Sequence, residues 1–265
     1  MIRMAVSGPR VDVVGHAFDA LTMDETVDLC VGWCRAGSAP HIVMPINAAI
    51  VVAMRNDPAL RAAGDAADLR MADGTAILWA ARLAGVRLPE RVTGIDLMQR
   101  LIERAAADGL SAFLLGARRP VIDRLVEVYR ARYPNLRIAG FQDGYFDKDE
   151  HASLIERIRA SGADLLFIGM PTPFKETWAQ QHRDRLGVPV ILGVGGSFDV
   201  LAGFIPRAPR ILQRAGLEWL WRLVCEPRRL WKRYLVGNAA FIGIAIAAAA
   251  RRRRNTAATQ NAKRS

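Results

Sequence analysis

Between residues 41 and 193 the chain alternates two patterns of apolar residues. Short continuous apolar runs, at 41–46, 68–72, 111–115, 136–141, 164–168 and 188–193, have the length of strands. Between them, at 48–54, 58–66, 75–83, 96–107, 120–132, 148–160 and 174–182, apolar positions recur every three or four residues, as on one side of a helix. Asp96 stands close to the start of one such helix and Pro120 in the first turn of another, positions both residues favour. Strands that are apolar throughout are covered on both faces. Strands alternating with helices of this length form βαβ units. The pattern therefore predicts an α/β, Rossmann-like fold, a mostly parallel sheet with helices on both faces.

Charge adds a second region. The formal net charge of the 265 residues is +11, but it is uneven. From Arg207 to Ser265 there are 14 basic residues against 2 acidic, whereas residues 1–206 balance to −1. This divides the chain into an α/β domain, 1–206, which would carry any catalytic site, a basic, tryptophan-rich and helical appendage, 207–250, and a polybasic tail, 251–265, expected to be disordered. A hydrophobic content of 51% excludes a disordered chain, and a neutral body argues against nucleic acid as a partner. The run 235–250, at 16 residues, falls short of the roughly 20 needed to span a bilayer and is flanked by Lys232, Arg233 and Arg251 to Arg254. It reads as a segment lying on a membrane surface. Trp219, Trp221 and Trp231 stand close by, with Trp219 expected to pack inward and Trp231 to lie at the interface. Cys30, Cys34 and Cys225 are too few for a disulfide framework and read as small buried hydrophobes.

In an open parallel sheet, ligands bind beyond the carboxyl ends of the strands. Polar or glycine-rich segments lie at five such ends: Asn47; Asp73-Gly74; Gly116; Gly169 to Glu176; and Gly193 to Asp199. Strand–glycine–helix transitions suit a phosphate or diphosphate. Neither a Walker A motif nor Gly-x-Gly-x-x-Gly is present, which weakens a dinucleotide oxidoreductase as the alternative. Asp73 is the carboxylate best placed to act as a general base, although Asp-Gly by itself reads equally as a turn. Asp68 reads as the start of a strand, and Lys175-Glu176 as a solvated charged pair. The four histidines are isolated, so no catalytic triad is expected.

Taken together, Asn47-Ala-Ala-Ile-Val51, Asp73-Gly74, Gly94-Ile-Asp-Leu97, Phe113-Leu-Leu-Gly116, Asp143-Gly-Tyr-Phe146, Gly193-Val-Gly-Gly-Ser-Phe-Asp199, Arg207-Ala-Pro209, Leu217-Glu-Trp-Leu-Trp-Arg-Leu223 and Glu226-Pro-Arg-Arg229 occur in this order. The chain resembles the WecG/TagA/CpsF family of bacterial glycosyltransferases over roughly residues 40–235. The resemblance implies an inverting, metal-independent transferase without a cofactor. Its donor would be a UDP-sugar and its acceptor a polyprenyl-diphosphate-linked saccharide, at the cytoplasmic face of the cell membrane. The products would serve cell-surface polysaccharide synthesis, and a homo-oligomer is compatible with it. By the same resemblance Asp73 is the base, Asn47 lies in the cleft, and Arg222 and Arg229 belong to an appendage closing over it. Tyr145, Asp199, Gly195 and Gly196 lie near the nucleoside, with Gly116 and Lys175 also on the substrate side. Two positions depart from the family pattern. Pro45 replaces a frequent Thr, and Lys175 replaces a frequent Gln, exchanging an amide for a charged donor that suits an acidic sugar or another phosphate contact.

Overall fold

A computed structural model describes residues 8–37, 39–231 and 235–262; side chains at 148, 229 and 253–262 are outside the description. A hairpin of β1 (Arg10–Val13) and β2 (His16–Asp19) precedes α1 (Met23–Arg35). The main sheet contains β3 (His41–Ile46), β4 (Leu69–Ala72), β5 (Ser111–Gly116), β6 (Arg137–Gln142), β7 (Leu165–Gly169) and β8 (Val190–Gly193). Its six strands run in the order β4-β3-β8-β7-β5-β6, and every pairing is parallel. The helices between them are α2 (Ala48–Asn56), α3 (Pro58–Ala66), α4 (Thr75–Leu83), α5 (Gly94–Asp108), α6 (Arg119–Arg132), α7 (His151–Ala160) and α8 (Phe174–Leu186). The strands and helices expected from the hydrophobic pattern are present, with ends shifted by a few residues.

β3, β4, β5 and β7 are buried at every position, which is why they read as continuous apolar runs. One face of the sheet carries α2, α4, α7 and α8, packed through residues such as Val51, Ile77, Ile155 and Trp178. The other carries α1, α5 and α6, packed through Trp33, Leu101 and Leu125. Aspartates at the amino ends of strands serve structure. Asp68 accepts from the Ile42 N–H at 2.9 Å and from Arg183 at 2.7 Å. Asp164 accepts from the Ser111 N–H at 2.7 Å and its hydroxyl at 2.8 Å. Asp68 thus does begin a strand and lies at the opposite edge of the sheet from Asp73.

The β1–β2 hairpin escaped the sequence pattern. Its two-residue turn is Val14-Gly15, both with positive φ (53° and 82°), where Asn-Gly would have been the recognisable signal. Asp12 Oδ1 accepts from the Gly15 N–H at 3.2 Å and holds the turn.

Beyond Pro206 come α10 (Arg210–Arg214), α11 (Glu218–Cys225), α12 (Pro227–Trp231) and α13 (Gly237–Ala262). The stretch from Arg251 to Ala262, expected to be disordered, instead continues α13. The physical reason is composition: alanine and arginine are strong helix formers, and no Gly or Pro follows Gly243. α13 packs against α2 and α4, and its Phe241 and Ala245 join the core of that face. Burying Phe241 contributes about 2 kcal/mol. No described helix is long and apolar enough to cross a membrane. Trp219 is half-buried, while Trp231 is 46% exposed. Cys30 and Cys34 are buried, and burial pushes the Cys34 thiol up to about 12.

Three histidines give the fold a pH dependence. His16 is buried, His41 stacks on Trp33 at 4.0 Å, and His182 lies edge-on to Trp178 at 5.2 Å. Burial lowers the pKa of all three, so the folded chain holds them neutral. The unfolded chain then binds more protons below its ordinary histidine pKa of about 6.5. Stability is therefore full above that pH and falls as pH drops through the lowered values. Melting temperature is expected to decline steadily from pH 7 to pH 5, and His16→Asn should flatten the decline; a profile flat over that interval contradicts the assignment.

Candidate active site

The carboxyl ends of the six strands form one edge of the sheet. Connections after β3 and β7 pass to the α2 and α8 face, whereas those after β5 and β8 pass to the face of α6 and α9 (Ser197–Leu201). Strand neighbours whose chains leave in opposite directions open a crevice between them, here at β3/β8, β8/β7 and β5/β7.

At β3, Asn47 is the N-cap of α2; its Oδ1 accepts from the Ile50 N–H at 3.1 Å. Such a cap contributes about 1 kcal/mol, so Asn47 has a structural task whatever else it does. Beside it, the Asp73 N–H donates to the Ile46 carbonyl at 3.0 Å, fixing Asp73 at the head of β4. Gly74, with φ of 110°, takes the N-cap position of α4, and no side chain caps that helix. Asp73 is part-exposed at this edge.

At β8, the Val194 and Gly195 N–H groups both donate to the Ile168 carbonyl, at 2.9 and 3.2 Å. They bend the chain into a turn with Gly195 at φ of 54°. At β5, the crowding is between backbones. A Cβ on Gly116 would lie 2.7 Å from the Gly169 carbonyl carbon, and one on Gly144 would lie 3.2 Å from Gly116 Cα. The Gly144 N–H donates to the Ala117 carbonyl at 2.8 Å, which carries the neighbouring Tyr145 to this edge, 76% exposed. Asp199 on α9 faces Arg118, which follows β5, at 3.9 Å.

The segment after Pro206 spans these strand ends. Arg207 pairs with Asp96 and donates to Gln99 at 3.1 Å. The Thr75 hydroxyl donates to the Gly216 carbonyl at 3.4 Å, two residues from Asp73. Arg91 and Glu218 are joined at 2.7 Å. At the far end, Arg222 donates to the Gly196 carbonyl at 3.1 Å, and its guanidinium lies 2.8 Å from where a Gly196 Cβ would be. Arg222 Nε is buried and makes no hydrogen bond. The strap thus ties the helix that follows Asp73 to the glycine turn after β8.

The family model described as glycosyl transferase WecG/TagA/CpsF matches residues 11–255. The chain belongs to the WecG/TagA/CpsF glycosyltransferase family. The Gly94-Ile-Asp-Leu97 and Arg207-Ala-Pro209 motifs of this transferase, unconnected in sequence, are the two sides of one contact, since Arg207 pairs with Asp96.

Not every candidate residue stands where expected. The Lys175-Glu176 pair is buried, not solvated, with side chains 7% and 5% exposed. The Lys175 ammonium donates to Thr172 Oγ1 at 2.7 Å and pairs with Glu176, while its stem passes 3.2 Å from where a Gly193 Cβ would sit. Its charge is balanced within the fold by Glu176. A charged residue at the second position of α8 faces inward because that turn lies against β3 and β8, a fact of packing alone. Pro45 packs 3.2 Å from where a Gly94 Cβ would sit. The Arg229 side chain lies outside the described residues, as do Lys232 and Arg233. Among the described residues no three His, Cys, Asp or Glu side chains converge as a metal site would require. Thr75, Arg91, Arg118 and Thr172 were missed by sequence reasoning, because single polar residues carry no pattern.

Proposed function

We propose that this glycosyltransferase moves a sugar from a UDP-sugar to a polyprenyl-diphosphate-linked saccharide, with inversion, in cell-surface polysaccharide synthesis at the cytoplasmic face of the membrane. The observation that carries the reading is the strap, which sets Arg222 on the Gly195-Gly196 turn and Gly216 on Thr75, beside Asp73. Asp73 takes the proton of the acceptor hydroxyl. The oxygen then bonds to the anomeric carbon from the side opposite UDP, and the bond from that carbon to the diphosphate oxygen breaks, its electron pair leaving with UDP. Arg222, whose Nε has a donor to spare, and Arg229 neutralise the charge that grows on the diphosphate, a task a metal performs in other transferases. Tyr145 offers an exposed ring for stacking on the uracil, and Asp199 a carboxylate for ribose hydroxyls. Asn47, Gly116, Gly195 and Gly196 shape the cleft floor.

A thermal-shift panel of UDP, UDP-sugars, NAD and short DNA tests the ligand class. A ligand at a hundred times its Kd stabilises by about 2.7 kcal/mol, a rise of several degrees in a domain of this size. UDP and UDP-sugars are expected to give that rise. Stabilisation by NAD or DNA without UDP would overturn the proposal.

A further inference from the structure

α4 begins two residues after Asp73, and its outer side is apolar. Ile77, Ala80 and Ala81 are buried, whereas Trp79 and Leu83 are 62% and 53% exposed. They stand four residues apart, on one stripe of the helix. α13 packs against α4 and repeats the arrangement: Phe241 and Ala245 face the core, while Ile242 and Ile246 are 58% and 60% exposed. Arg252 ties the two helices together by donating to the Ala84 carbonyl at 2.6 Å. Arg82, Arg87, Arg251 and Arg252 are exposed at this end, and neither helix contains Asp or Glu.

We infer that α4, an element outside the C-terminal segment, contacts lipid directly through Trp79 and Leu83 and sets the height of Asp73 above an anionic membrane surface. The inference rests on the proposed lipid-linked acceptor and deepens it. An apolar stripe bearing a tryptophan, on two helices whose charged residues are all arginines, matches the boundary between acyl chains and anionic headgroups. A second copy of the chain is a poorer occupant, because a two-fold contact would oppose two cationic faces. No described helix is long and apolar enough to cross a membrane, so the contact proposed is with its surface. Trp79 is six residues from Asp73, roughly 9 Å along a helix axis. Coupling through one rigid helix would hold the carboxylate at the level of a sugar carried on a membrane-embedded diphosphate, where a flexible tail could only keep the enzyme nearby.

The test uses the full-length chain with Trp79→Ser and Leu83→Ser combined. Both side chains are exposed, so the melting temperature should be unchanged. Sedimentation with vesicles of phosphatidylcholine and phosphatidylglycerol should show binding weakened by about tenfold, the loss expected when two apolar side chains no longer enter the interface. Trp79→Tyr should retain binding. Transfer to a long-chain acceptor in the vesicles should fall in parallel, while transfer to a short-chain, water-soluble acceptor should not change. Unaltered vesicle binding would overturn the inference. So would a drop in oligomer size with vesicle binding intact, which would assign the stripe to a second copy. Failure of the wild type to transfer sugar to either acceptor would refute the proposed function, and vesicle binding would still decide the role of α4.

Discussion

Asp73→Asn is expected to lower turnover by about a thousandfold, the middle of the range for losing a general base, while leaving the fold and UDP binding intact. The fold survives because the backbone fixes this position: the Asp73 N–H bonds to the Ile46 carbonyl at 3.0 Å, and Gly74 supplies the turn. Asn keeps the size and polarity of the side chain and removes its basicity at neutral pH. The melting temperature and the UDP-induced shift should match those of the wild type, with the loss confined to kcat. Asp68→Asn provides the contrast. Asp68 accepts from Ile42 and Arg183 at the opposite edge of the sheet, so that variant should lose stability and keep turnover per folded molecule. Near-normal kcat in Asp73→Asn would remove Asp73 from the role of base.

Arg222→Ala is expected to reduce kcat a hundredfold to a thousandfold, comparable to removing one preorganised donor from a site of developing charge. KM for the donor should rise far less. Arg222→Lys keeps the charge but loses the planar fork and should recover only part of the rate. Truncation after Pro206 looks from the sequence like the natural experiment, a soluble body without its appendage. The structure argues against it, because Phe241 and Ala245 belong to the core on the α2 and α4 side, and their removal would uncover apolar surface. The point substitution isolates the guanidinium. If Arg222→Ala transferred sugar at the wild-type rate, closure of the strap over the glycine turn would have no catalytic part.

Much of this protein is legible in its sequence. Burial on both faces forces apolar residues at every strand position, and helices on both faces impose their own period, so the six-stranded parallel sheet follows from the pattern. Strand ends carrying Asn47, Asp73, Gly116 and Gly193 marked the edge proposed here as the reactive one, since ligands of such sheets bind there. The hairpin at residues 10–19 was not legible, because Val14-Gly15 lacks the usual turn residues. Nor was the burial of Lys175 and Glu176. Their sequence is that of a solvated helix start, and only the packing of α8 against β3 and β8 turns it inward.

The division between sequence and structure has a physical basis. Periodicity is a local property, repeated along the chain and averaged over many residues, so the sequence by itself determined the strands and helices of the main sheet, its parallel arrangement and the membership of a glycosyltransferase family. Contacts between distant single residues leave no such average. Asp96 with Arg207, Thr75 with Gly216 and Gly196 with Arg222 are separated by more than twenty residues in every case, and each depends on the orientation of whole helices. The C-terminal segment was marked in the sequence by charge, tryptophans and motifs; only the tertiary structure decided that it rests on Thr75, Arg91 and Gly196 and that Phe241 and Ala245 enter the core.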